Sequence, residues 1–120
     1  MKPGSVYRLD SVAIGVHFWA VLSLPNHDEE VAASIITTLY GNGREDHSCL
    51  LGPDDHPGLD HQSWVKYDNT KMMGVSYLSR YGGEHPPLTE DATVRLLEGA
   101  ANTDNLRLSV ERLLIDQGLI

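Results

Sequence analysis

The pair Pro86-Pro87 divides this chain into two parts that cannot be built from one kind of secondary structure. Proline lacks a backbone donor and holds the residue before it in extended geometry, so neither a helix nor a central strand crosses this point. Before it lie short runs rich in β-branched and aromatic residues, and after it apolar residues recur at helical spacing. The chain is read as mainly β with α in one domain over 1–120, with a strand-built body over 1–82 and two C-terminal helices over 88–118. A length of 120 residues suits one modest core.

Residues 5–9 alternate polar and apolar side chains after a Pro-Gly start and read as a short strand. Residues 16–24, VHFWAVLSL, are aromatic and β-branched and stop at Pro25-Asn26, which predicts a central strand buried on both faces. The run VAASIITT over 31–38 favours a strand, although Ala32-Ala33 leave a helix open. Further strands are expected over 47–51 and 63–67, joined by a turn-rich connection over 52–62. Residues 71–81 fit either a strand or one helical turn followed by a strand.

Beyond the prolines, Thr89 is a natural N-cap, with Glu90 and Asp91 where a helix start favours negative charge. Ala92, Leu96 and Ala100 give one apolar face and predict a helix over 90–100. Leu106, Val110, Leu113 and Leu114 define a second helix capped by Thr103 or Asp104, with Gly118 as its stop.

Composition removes several classes of function. A net charge of −8 with scattered Lys and Arg counts against a generic nucleic-acid binder with a basic stripe. The lone Cys49 allows no internal disulfide, so a reducing cytoplasm is the expected compartment. The longest apolar run is too short to span a bilayer, the start has no apolar signal core, and no membrane partner is expected. No phosphate-binding glycine loop and no GxSxG elbow occurs.

Chemistry concentrates between Cys49 and Lys71, where Asp55-His56 and Asp60-His61 flank Pro57-Gly58. Histidine exchanges protons near neutral pH, and a neighbouring carboxylate can orient it. Three readings stand side by side. His56 or His61 acts in proton transfer together with His17; the loop binds a metal through Asp55, His56, Asp60 and His61, with His47 as a further ligand; or it is a solvated turn. The ligand spacing matches no established zinc pattern, and neither a metal nor another cofactor is expected. Trp19 and Trp64 are core or interface aromatics, or a tryptophan stacks on a base at a groove rim.

The order of PGSVY (3–7), HFWAVLS (17–23), IITT (35–38) and DNTK (68–71) resembles the PemK/MazF-like toxins of bacterial toxin-antitoxin systems over roughly residues 3–80. The resemblance implies an SH3-like small β-barrel with C-terminal helices, homodimeric, cleaving single-stranded RNA without metal and inhibited by an antitoxin protein. The family's Arg-Pro step stands here as His17-Phe18. The expected catalytic residues are His17, Thr38, His56 and His61, with Thr37, Ser63, Asp68 and Lys71 binding substrate. The bland readings are a packed strand-end histidine for His17, ordinary strand threonines for Thr37 and Thr38, and a turn initiated by Asp68. Two other functions compete with a toxin-like ribonuclease or its degenerate relative: a non-catalytic module whose acidic surface meets a protein partner, and a metal-binding protein using the Asp-His loop.

Overall fold

The structure is a computed structural model that describes residues 1–120. Its elements run β1 (Val6–Ser11), β2 (Gly15–Val21), β3 (Glu30–Thr38), β4 (Leu50–Leu51), β5 (Ser63–Gly74), α1 (Val75–Tyr81), β6 (Gly83–His85), α2 (Glu90–Asn102) and α3 (Leu108–Asp116). The strands form one curled antiparallel sheet in the order β4-β5-β3-β2-β1-β6, a half-barrel. The mainly β architecture with C-terminal helices agrees with the sequence pattern, and no helix is long and apolar enough to cross a membrane.

Strand alternation sends successive side chains to opposite faces, and here both faces are covered. Val6, Ala20, Leu22, Ile36, Val65 and Tyr67 pack against Leu96 and Ala100 of α2 and Val110 and Leu114 of α3. On the other face Tyr7, Leu9, Trp19, Val21, Val31 and Ile35 pack against Leu78 of α1. Burial on both faces explains the unbroken apolar run after residue 18. It does not extend along all of β2, however. Gly15 and Val16 are exposed and His17 and Phe18 only half-buried, because this end of the strand projects past the helices.

β5 departs most from the sequence pattern. It runs for 12 residues through the DNTK segment instead of ending at Tyr67. While β3 advances from Ala33 to Ile35, β5 runs from Lys66 to Lys71, so Asp68 and Asn69 lie in a wide bulge rather than a hairpin turn. The bulge is closed from inside: Thr70 Oγ1 donates to the Tyr67 carbonyl at 2.7 Å and lies 2.5 Å from Ser34 Oγ. The guanidinium of Arg107 donates to the Thr70 carbonyl from the start of α3. After Gly74 the chain turns into α1, the reverse of the helix-then-strand order considered for 71–81.

Two other expectations are corrected. The strand foreseen over 47–51 shrinks to Leu50–Leu51, because Asp46 organises the preceding loop: it accepts from Ser48 N at 2.9 Å, Thr103 Oγ1 at 2.6 Å and Asn105 Nδ2 at 3.1 Å. Burial pushes the Asp46 carboxyl up, but these hydrogen bonds together outweigh it and hold the group below its usual range. The same bonds occupy Thr103, so neither it nor Asp104 caps the last helix. α3 begins at Leu108, leaving Leu106 outside, with Arg107 in the capping position. Thr89 does cap α2, accepting from Ala92 N at 3.2 Å. Gly118, at φ 72°, ends α3 with Gly118 N donating to Ile115 O and Leu119 N to Leu114 O.

Candidate functional site

The uncovered end of the sheet is where β2 and β3 run out beyond both cores. There the connection before β5 folds back over β3, and a cavity of about 310 Å³ opens. His17, Thr37, Thr38, His61 and Ser63, distant in sequence, all line it, together with Phe18 and Tyr40. Antiparallel pairing accounts for part of this convergence, since Thr38 stands directly opposite Ser63. The rest comes from the 52–62 connection, whose last residues bring His61 over the end of β3.

The central contact is a chain of three side chains. Asp60 Oδ1 lies against His61 Nδ1 as an ion-pair contact, and His61 Nε2 lies 2.8 Å from Thr38 Oγ1. A carboxylate against Nδ1 fixes the proton there when the ring is neutral, so Nε2 accepts from the Thr38 hydroxyl. The imidazole is thereby held with a basic nitrogen towards the cavity. It is also accessible, with His61 55% and Asp60 87% exposed at the side chain, so a substrate can reach it.

On β2, His17 Nε2 donates to the Ile14 carbonyl at 2.8 Å. This contact anchors the ring to the β1–β2 turn through Nε2. Ser63 is buried, and its hydroxyl points to the His61 carbonyl at 3.4 Å. Thr37 takes the opposite face of β3 from Thr38 and is half-buried.

His56 stands apart from this group. It is 2% exposed, with Nε2 donating to Pro86 O at 2.7 Å and Nδ1 accepting from Gly58 N at 2.9 Å. Its ring packs with those of Phe18 and His85. Both nitrogens are occupied, so this histidine fastens the connection to the linker before α2. Its neighbour Asp55 turns away to Arg95 and to Gly52 N, 2.8 Å. The two Asp-His pairs of the sequence are thus unlike: one is built into the fold and one faces solvent.

Burial lowers the His56 pKa, with the Pro86 carbonyl opposing and the nearby His85 assisting. Between that lowered value and the ordinary 6.5, the unfolded chain takes up a proton that the folded chain declines. The His56 contribution to stability is therefore complete above the ordinary value and is lost as pH falls through the folded one. Thermal unfolding from pH 7.5 down to pH 5 should show a steeper loss of stability for the wild type than for His56→Gln; equal slopes would contradict this role.

Asp68 and Lys71 also lie away from the cavity. Asp68 pairs with Lys66 at 3.2 Å across the bulge, and Lys71 is exposed opposite Ala33. Cys49 is buried, which pushes its thiol up to about 11 and makes it a packing residue. The metal reading fares no better on geometry. With Asp55 held by Arg95 and His56 fully engaged, no group of three or more His, Cys, Asp or Glu side chains is placed to hold an ion.

Of the residues that the sequence singles out for chemistry, the cavity gathers His17, Thr37, Thr38, His61 and Ser63, and also Asp60, which the sequence offers only as a metal ligand or an orienting neighbour. Its adjacency to His61 was the available signal. Trp64 carried only the signal of an aromatic at a groove rim, and Tyr40, Lys66 and Asn69 carried none; the pairing of β3 with β5 and its bulge bring Trp64, Lys66 and Asn69 beside His17. A scan against protein-family models, a search of curated proteins and a search of solved structures each give no match to this chain.

Proposed function

We propose that this protein is a metal-independent endoribonuclease for single-stranded RNA, with His61 as general base and His17 as general acid. The observation that carries the proposal is the Asp60–His61–Thr38 chain opening onto a cavity that His17 also lines. Cleavage through a 2′-hydroxyl needs one group to take a proton and another to give one, and two imidazoles on one cavity supply both. His61 Nε2 takes the 2′-hydroxyl proton as that oxygen attacks phosphorus. The bond from phosphorus to the 5′-oxygen breaks, and the leaving oxygen takes a proton from His17. The products are a 2′,3′-cyclic phosphate and a free 5′-hydroxyl. Thr38, once the substrate hydroxyl takes its place on His61, offers its own hydroxyl to a phosphate oxygen, contributing part of the stabilisation that an arginine gives more strongly.

In this reading the half-barrel is a divergent SH3-like barrel of PemK/MazF type, working as a cytoplasmic homodimer under the control of an antitoxin. Purified protein should cleave mixed-sequence single-stranded RNA in EDTA, and His17→Ala should slow it by about 10²-fold or more. RNA left intact by the wild type would end the enzymatic reading. The alternative is a non-catalytic module binding a basic protein partner, favoured by the net charge of −8 and by the exposed Val12, Ile14 and Val16 at the β1–β2 turn. It predicts no cleavage by the wild type, so that His17→Ala has no nuclease activity to lose.

A further inference from the structure

A second cavity, of about 340 Å³, lies on the opposite face of the same sheet end. Its floor follows from the register: Thr37 pairs with Trp64 and Ile35 with Lys66, so these four side chains share one face. The two cavities meet at His17, Thr37, Thr38 and Tyr40. A strand of nucleic acid leaving the first would therefore cross the end of β3 and enter the second.

What lines the second cavity has the chemistry of a base site rather than a phosphate site. Trp64 is half-buried beside the cavity and Tyr40 is 81% exposed at its rim, so each offers an aromatic face. Asn69, delivered by the β5 bulge, adds an amide that can both donate and accept, as reading a base edge requires. The rim is also ordered. The Glu45 carboxylate accepts from Tyr40 N at 2.6 Å, Gly41 N at 2.9 Å and Asn42 N at 3.1 Å, which fixes the loop carrying Tyr40 and engages the acid's oxygens. Lys66 is the cation of this cavity, and its pairing with Asp68 is solvent-exposed and weak enough to exchange for a phosphate.

We propose that this second cavity is a nucleobase subsite, in which Trp64 and Tyr40 stack on the base next to the scissile phosphate and Asn69 reads its edge. The inference rests on the ribonuclease reading for its substrate class but not on cleavage for its test. A chain carrying −8 overall, with one lysine at the subsite, must bind chiefly by stacking. Log affinity against log salt should therefore have a slope of only about −0.7, the value for one neutralised phosphate on a single strand.

The probe is a short mixed-sequence single-stranded DNA, which lacks the 2′-hydroxyl and cannot be cleaved by this chemistry. Trp19 is 4% exposed, so Trp64 is the tryptophan within reach of ligand, and its fluorescence should be quenched saturably. By anisotropy of a labelled strand, Trp64→Leu and Tyr40→Ala should each weaken binding by about tenfold, the loss expected for one stacked base. Asn69→Ala should alter preference among homopolymers while leaving the fold intact by circular dichroism. Trp64→Phe keeps an aromatic face and should retain most of the affinity, which separates stacking from a folding defect. Undiminished binding by Trp64→Leu and Tyr40→Ala, or no saturable quenching, overturns the subsite even if RNA is cleaved. Quenching and variant losses without RNA cleavage support the subsite and overturn the catalytic reading instead.

Discussion

His61→Ala should reduce RNA cleavage by about 10²- to 10⁴-fold, the contribution typical of a positioned proton-transfer group. The loss should appear in kcat more than in KM, because the imidazole acts on the reacting hydroxyl and not on the bulk of the ligand. Single-turnover cleavage with enzyme in excess checks this. Asp60→Asn should cost less: the amide no longer carries the charge that favours a proton on Nδ1, but Asp60 is 87% exposed and its charge is well screened. Thr38→Val, which keeps shape and removes the hydroxyl, tests the third member of the chain. If His61→Ala cleaves at the wild-type rate, the Asp60–His61–Thr38 contact is only a tether for the 52–62 connection.

Gly99→Ala should destabilise the protein, against the usual rule for helices. Alanine in a helix interior is ordinarily favoured over glycine by about 1 kcal/mol. Here a Cβ on Gly99 would overlap the Tyr67 hydroxyl and sit 2.8 Å from the Ser48 carbonyl oxygen and 3.0 Å from Cys49 Cβ. Tyr67 cannot easily give way, because it is 1% exposed and its hydroxyl donates to Leu96 O at 2.6 Å. Overpacking, together with loss of that hydrogen bond, should exceed the propensity gain and leave a net cost of about 3 kcal/mol. For a chain of this size that is a fall of roughly 10 °C in Tm. Tyr67→Phe removes the overlapping oxygen, so the double variant should lose less than the sum of the singles. A Gly99→Ala variant as stable as the wild type would mean that α2 does not approach β5 as closely as described.

These two positions also mark what the sequence could and could not convey. The apolar faces of α2 and α3 were legible because helical spacing repeats locally, as was the change of secondary structure at Pro86-Pro87. The close approach at Gly99 was not, since it depends on a β5 side chain 32 positions away. The length of β5 was hidden for the same reason. Asp68-Asn69-Thr70 has the composition of a turn, and only the Ser34 and Thr70 hydroxyls and the Arg107 guanidinium hold it as a bulge within a continuous strand. Within the candidate site, residue type pointed to His61 and His17, but residue type could not distinguish His56 from His61. One is packed against Phe18 and bonded through both nitrogens, and the other faces a cavity; that difference is tertiary.

The most direct test of the central claim is the chemistry of the cut end. RNA incubated with the wild-type protein in EDTA should yield 2′,3′-cyclic phosphate and 5′-hydroxyl termini, and a single 2′-deoxy substitution at the scissile nucleotide should block the cut. Fragments ending in 5′-phosphate, cleavage that survives the 2′-deoxy substitution, or no cleavage at all would contradict acid–base catalysis by His61 and His17.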